Sequence, residues 1–293
     1  MSRVLVTGAN GQLGRCLRDA APLFPKFRFV FFSKGGLDIS DKKQLENSFG
    51  KAHFDYCINA AAYTNVEKAE SDAENAFAVN AEGPKNLAQA CKEHGTTLVH
   101  ISTDYVFNGE KKSAYVETDA TGPINVYGAS KLAGEVFVQE SNCNHFIIRT
   151  SWLYSQYGNN FYNSILKFAK TKDGLTITTE QTGAPTNAND LAVAVLEMIN
   201  TGAPDYGLYH FSNKGEATWF DFAEQIIINT GQKDVVSVKK TPHYPTFAKR
   251  PKNSVLNTTK WERQFGQHIK PWRESLQQLS LKPTNTKENE HER

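Results

Sequence analysis

Apolar positions along this chain recur in two patterns. Short apolar runs read as buried strands at residues 3–6, 27–32, 54–59, 97–102 and 145–150. Between them lie stretches of helical character. One covers residues 12–20, and a second runs to about Phe49 from a cap at Ser40. A third covers 73–94, where Gly83-Pro84 predicts a kink or a division. A fourth carries Tyr127 and Lys131 in its first turns. Strand and helix alternate up to residue 150, as in a parallel doubly wound sheet.

Beyond residue 150 the pattern loosens. Helices are expected from Gly158 to about Lys170, at 190–200, 219–230, 258–265 and 271–281. Strand-like runs fall at 175–178, 207–211 and 235–238, and the second of these could return to the main sheet. The expected fold is α/β: a Rossmann-type doubly wound parallel sheet with a smaller C-terminal substrate-binding lobe. Residues 1–150, with returns near 187–212, would form the nucleotide-binding domain. Residues 151–186 and 213–281 would form the second lobe. The charged stretch 282–293 reads as a disordered tail.

Candidate chemistry sits where strands end. The first strand runs into Thr7-Gly8-Ala9-Asn10-Gly11-Gln12-Leu13-Gly14 and then a helix. Gly8 would permit the tight turn, Gly11 the close approach of a pyrophosphate, and Gly14 the packing of helix on strand. Free amides at the helix N-terminus make the anion site. After the second strand come Ser33 and Lys34, with no acid for an adenosine ribose. That pair tolerates a 2′-phosphate, so NADPH is favoured over NADH. The fourth strand opens into Ser102-Thr103-Asp104-Tyr105, and Tyr127 and Lys131 lie one turn apart on a helix. An ammonium beside a phenol favours the phenolate, and a phenol tuned in this way exchanges protons with a carbonyl or an alcohol.

The 293 residues suffice for a sizeable core. A net charge of +2 gives no global attraction to nucleic acid or to an anionic membrane. No run reaches transmembrane length, and the start lacks a signal-peptide pattern. The four cysteines show no C-x-x-C pair, and Cys57 and Cys91 sit in apolar contexts. The eight histidines show no metal-ligand spacing, so no metal is expected. A reduced, cytoplasmic protein is the reading, and a homodimer is compatible with it.

The glycine turn with Tyr127-x-x-x-Lys131 resembles the extended short-chain dehydrogenases/reductases. Further motifs narrow the likeness: Ala61-Ala62-Tyr63-Thr64, Ser102 through Gly109, Pro123 through Gly128, Lys131 through Glu135, Arg149 through Trp152, Gly158 through Phe161, Gly183 through Thr186 and Arg250 through Ser254. Together, over residues 3–281, they resemble the dTDP-4-dehydrorhamnose reductase family. The resemblance implies hydride transfer from NADH or NADPH to C4 of a dTDP-sugar. It implies that Tyr127 gives a proton to the C4 oxygen, that Lys131 tunes it and holds the nicotinamide ribose, and that Thr103 bonds the same oxygen. Gly11, Gln12 and Leu13 would bind the pyrophosphate. Asp38 and Ile39 would lie by the adenine, and Ala62, Tyr63 and Thr64 by the ribose and nicotinamide. Asp104, Tyr105 and Trp152 would contact the substrate, and Arg250 its diphosphate. Core packing competes for Trp152, a solvated basic loop for Arg250, and turn formation for Asp104.

Two other functions share parts of this pattern. A sugar-nucleotide 4-epimerase carries the same turn and Tyr-x-x-x-Lys. A related dehydratase places Asp-Glu after the strand-end threonine, whereas Asp104-Tyr105 stands here. A non-catalytic subunit like the regulatory β subunit of methionine adenosyltransferase also resembles the family, but Thr103, Tyr127 and Lys131 are all present here.

Overall fold

In the computed structural model, which describes residues 1–171 and 173–281, the apolar runs become a parallel sheet. Its strands are β1 (Ser2–Thr7), β2 (Phe27–Phe31), β3 (Tyr56–Asn59), β4 (Thr97–Thr103) and β5 (His145–Thr150), joined by a sixth at Gly207–His210. The order across the sheet is Gly207–His210, β5, β4, β3, β1, β2. The strand order thus reverses between β1 and β3, with β4 next in line, so the carboxyl ends of β1, β3 and β4 open on one crevice. Open α/β sheets place ligands in such a crevice. The register aligns Thr7 with Asn59 and Thr103 with Thr150 at those ends.

Both faces of the sheet are covered, which is why its strands are continuously apolar rather than alternating. On one face Val4, Val6, Ile58, Val99 and Ile148 pack with Leu13 and Leu17 of helix Gln12–Ala20 and Leu191 and Val195 of helix Ala188–Thr201. On the other, Leu5, Cys57, Leu98 and Ile147 pack with Leu45, Phe49, Leu87 and Cys91. All four cysteines are buried thiols. A separate aromatic core under the C-terminal segments joins Tyr154, Phe222 and Trp272.

Several boundaries differ from the sequence reading. Asp41, not Ser40, caps helix Lys42–Lys51, because its carboxylate accepts from the amides of Lys43 and Gln44. Ser40 instead donates its hydroxyl to Asp38. The stretch 73–94 is divided just before Gly83-Pro84. Helix Ala73–Phe77 passes through a π-helical turn, Ala78–Glu82, into helix Gly83–His94. The last short strand is Ser237–Thr241, shifted toward the C-terminus, and pairs with Gly174–Thr178. The tail expected at 282–293 lies outside the described residues.

Candidate active site

A cleft of about 540 Å³ runs over the carboxyl ends of the central strands. One end is the glycine turn. Gly8 has a left-handed φ of 66°, and a Cβ there would lie 2.6 Å from the backbone of Ala60 and Ala61. At Gly14 a Cβ would come within 2.3 Å of the Gly8 carbonyl oxygen. Both positions therefore exclude any side chain. Gly11 occupies the N-cap of helix Gln12–Ala20 without a capping side chain, which leaves the first-turn amides open. These features fit a dinucleotide pyrophosphate. The side chains of this helix start are otherwise engaged. Gln12 donates to the carbonyl of Leu153 and accepts from Ser155 and Asn160, tying the turn to the far side of the cleft. Leu13 is a core residue as well as part of the cleft wall.

Ser33, Asp38 and Ile39 stand outside the lining of this cleft, around the end of β2. Ser33 follows Phe32, whose carbonyl accepts from the Ala9 amide, so it adjoins the glycine turn. Asp38 is engaged with Ser40 and, at 3.8 Å, with exposed Lys34. Ile39 is buried, its side chain filling the space beside Gly83, so only its backbone could meet an adenine. Ala62 and Thr64 line the cleft. Tyr63 does not, because its hydroxyl turns away to donate to Asp72.

One wall of the cleft comes from β4 and helix Val126–Glu140. Asn125 caps that helix through the Gly128 amide, and the Asn125 side-chain amide also donates to the Lys249 carbonyl. Gly128 allows the helix to approach the chain after β4, where a Cβ would meet the Tyr105 carbonyl oxygen at 2.2 Å. Thr103, Asp104, Tyr105, Tyr127 and Lys131 all line the cleft. Tyr105 and Tyr127 meet edge to face at 5.6 Å.

The electrostatics correct one expectation. The Tyr127 phenol stands above its ordinary value rather than below it. Burial pushes it up to about 12, Asp104 adds to the rise, and a hydrogen bond with Thr103 opposes it. Lys131 turns beneath the helix and donates to the Ile101 carbonyl at 2.6 Å. Its own burial brings it down to about 8, against the raising effect of Glu135. Tyr127 is therefore a neutral acid in the free protein, which suits it to give a proton. Burial also raises Asp104 to about 7, opposed by hydrogen bonds with Ser254 and Thr103. One oxygen of this buried carboxyl has no partner.

Two groups missed by the sequence reading hold this wall in place. Asn80, on the π-helical turn, accepts from the Tyr63 amide and donates to the Tyr63 carbonyl and to Ser130. It clamps the loop after β3 to helix Val126–Glu140. π-Helical turns are enriched at functional sites, but one extra residue in a turn leaves no periodic signature in sequence. The second is Glu135, one turn past Lys131. It takes three bonds from Nε and Nη2 of the Arg149 guanidinium and one from Ser102, with both ion-pair partners buried.

Across the cleft stand Trp152, Phe161 and Trp219. Trp152 lines the cleft and stacks on Trp219, so it is more than core filling. Arg250 also faces the cleft, where its guanidinium is held at 2.7 Å by Glu67. Glu67 accepts as well from the amides of Phe247 and Ala248. The basic loop is thus fastened beside the cleft rather than free in solvent.

The parallel sheet, the glycine turn and the Thr-Tyr-Lys wall define an NAD(P)-dependent oxidoreductase of the extended short-chain type. Comparison with known proteins takes this one step further. The RmlD substrate binding domain family matches residues 2–284, and the chain belongs to that family. A relative from Sinorhizobium fredii called dTDP-4-dehydrorhamnose reductase is 41% identical over 286 residues, covering 94% of this chain and 96% of that protein. A Bacillus anthracis dTDP-4-dehydrorhamnose reductase solved with NADP superposes with a TM-score of 0.90 at 39% identity, covering 95% of this chain and 98% of that one. A Clostridium acetobutylicum dTDP-4-dehydrorhamnose reductase ortholog gives 0.89 at 39% identity, covering 94% and 98%. Among the described residues no helix is long and apolar enough to cross a membrane.

Proposed function

We propose that this protein reduces the C4 carbonyl of dTDP-4-dehydro-L-rhamnose to give dTDP-L-rhamnose, with NADPH as the preferred donor over NADH. The supporting observation is the placement of Thr103, Tyr127 and Lys131 on one wall of a cleft whose far end is the glycine turn. The nicotinamide, when bound, supplies the hydride. The chain supplies everything around it. First-turn amides of Gln12 and Leu13 hold the pyrophosphate, which Gly11 lets approach the backbone closely, Ala62 and Thr64 flank the ribose and nicotinamide, and Lys131 holds the nicotinamide ribose. Ser33 accommodates the adenosine end. Tyr63, Asp38 and Ile39 support these places through their backbone.

Reduction builds negative charge on the C4 oxygen. The neutral Tyr127 phenol meets that charge with a proton, and the Thr103 hydroxyl bonds the same oxygen. The Lys131 ammonium then faces a phenolate, which it stabilises. Asp104 and Tyr105 border the sugar, Trp152 packs against the substrate with the exposed part of its ring, and Arg250 bonds the diphosphate with its fixed fork of donors. Residues 1–150, with the returns near 187–212, carry the cofactor, and 151–186 with 213–281 carry the sugar nucleotide. Such chemistry belongs in the cytoplasm.

A dehydratase needs an acid where Tyr105 stands, and burial raises that phenol far above its ordinary value. An epimerase recycles its cofactor, and a regulatory subunit consumes none. The test is therefore NADPH oxidation with dTDP-4-dehydro-L-rhamnose and identification of the product. One NADPH consumed per dTDP-L-rhamnose formed is expected. Turnover without net NADPH loss, or no turnover, overturns the reading.

A further inference from the structure

Trp152 carries a backbone conformation that bulky residues avoid. Its φ is 45°, in the left-handed region, where a non-glycine residue of this size is strained. Such a conformation persists only where the surroundings over-determine it. Three contacts do so here. The Trp152 carbonyl accepts from the Thr186 amide at 3.2 Å. The indole lies over Gly183, where a Cβ would come within 2.5 Å of the ring. Its face is covered by Trp219, with ring centroids 3.6 Å apart and planes within 3°.

The last two contacts have a common origin. A two-residue antiparallel ladder pairs Ala217 with Gly183 and Thr218 with Thr182. It carries Trp219 to the place opposite the room left by Gly183. Thr218 and Asp221 form a capping box at the start of helix Trp219–Asn229, which fixes the first residue of that helix. Phe161, itself at the start of helix Phe161–Ala169, closes on Trp219 from another side at 4.6 Å. Trp152 and Trp219 both line the cleft and are only half-buried. A stack of two indoles that served only to fill a core would be sealed from solvent.

We propose that Trp219 is a positioning residue for the nucleotide-sugar substrate: it holds the strained Trp152 indole in place in the cleft wall and so sets substrate affinity without entering the chemistry. The inference rests on the reading of the cleft as the dTDP-sugar site. Its mechanism is preorganisation. A platform already fixed in the free protein costs the substrate no ordering of a large side chain on binding.

The test measures steady-state turnover of dTDP-4-dehydro-L-rhamnose with NADPH, and calorimetric binding of dTDP-L-rhamnose, for wild type, Trp219→Ala and Trp219→Phe. Trp219→Ala should raise the sugar-nucleotide KM and the dTDP-L-rhamnose Kd by roughly tenfold, the scale of one aromatic pair. The KM for NADPH should move less than about twofold and kcat less than about threefold, because Tyr127, Lys131 and the glycine turn are untouched. Trp219→Phe keeps a stacking face and should recover most of the affinity. The exciton signal of two stacked indoles in circular dichroism should vanish in both variants. A general loss of folding would raise both KM values and lower kcat together, with no rescue by phenylalanine, and would overturn the inference. So would an unchanged sugar-nucleotide KM in Trp219→Ala. The wild-type arm reads the underlying function separately: failure to bind or turn over the dTDP-sugar there overturns both, whereas normal wild-type turnover with an unaffected variant overturns the positioning role alone.

Discussion

The two walls of the cleft are built by different means. The Thr103–Tyr127–Lys131 wall hangs on β4 and on helix Val126–Glu140, whose residues are fixed by ladder hydrogen bonds, a cap and buried contacts. The Trp152–Trp219 wall stands on a left-handed residue, a two-residue ladder and the first residues of two helices. On the proposed function the first wall holds a proton donor to within tenths of an ångström, which rigid elements do well. The second must accept a large, partly apolar ligand, for which broad rings on shorter supports suffice. Changes in the first wall should therefore alter rate or stability, and changes in the second should alter affinity.

The largest expected effect follows from removing the proton donor. Tyr127→Phe keeps the ring, its packing on Tyr105 and the helix, but loses the only atom that can give a proton. Turnover should fall by roughly 10²–10⁴-fold, the usual contribution of a positioned general acid. NADPH binding, followed by fluorescence titration, should stay within about threefold of wild type. Retained turnover would remove Tyr127 from the mechanism and erase the contrast between the walls.

Next comes the support of the first wall. Glu135 and Arg149 are almost fully buried, with side chains 2% and 4% exposed. Glu135→Gln leaves the guanidinium charged in the interior without a counter-charge. Breaking a buried pair in this way costs about 3–5 kcal/mol, far more than the pair itself need contribute. Urea unfolding should show that loss, and Glu135→Met with Arg149→Met together should show less of it. A loss under about 1 kcal/mol for Glu135→Gln would mean that water reaches this pair.

The same contrast governs what sequence could reveal. Helix Gln12–Ala20 and strand His145–Thr150 match their expected limits, because apolar periodicity and the glycine turn are local signals. The return of Gly207–His210 to the sheet was legible as an apolar run, although its partner β5 was not. The Ser40–Asp41 choice failed by one residue. Both types cap well, and Gln44, which bonds the Asp41 carboxylate, decided it. At the site, residue type and spacing marked Tyr127 and Lys131, but not the direction of the lysine. Burial and the Ile101 carbonyl set that, and both depend on β4 packing beneath the helix. The aromatic wall was least legible. Nothing about a tryptophan announces a left-handed φ, and Trp219 meets Trp152 only through pairings distant in sequence.

The smallest effect expected is also the most diagnostic of the first wall's electrostatics. Asp104 is 2% exposed, and burial brings its carboxyl up to about 7. Below that pH it is neutral and leaves the neighbouring phenol alone. Above it, the carboxylate raises Tyr127 further and makes it a weaker donor. Reduction should therefore decline as pH rises through about 7. A second decline should follow near 8, where Lys131 loses its charge and can no longer stabilise the phenolate. Asp104→Asn keeps the shape and cannot ionise. In a kcat/KM profile it should abolish the first step, a change of roughly several-fold, because the carboxylate is one neighbouring charge on the phenol. The step near 8 should remain. An unchanged inflection near 7 in Asp104→Asn would assign that titration to another group. Loss of both steps would mean that Asp104 and Lys131 titrate as one coupled pair rather than as separate supports of the phenol.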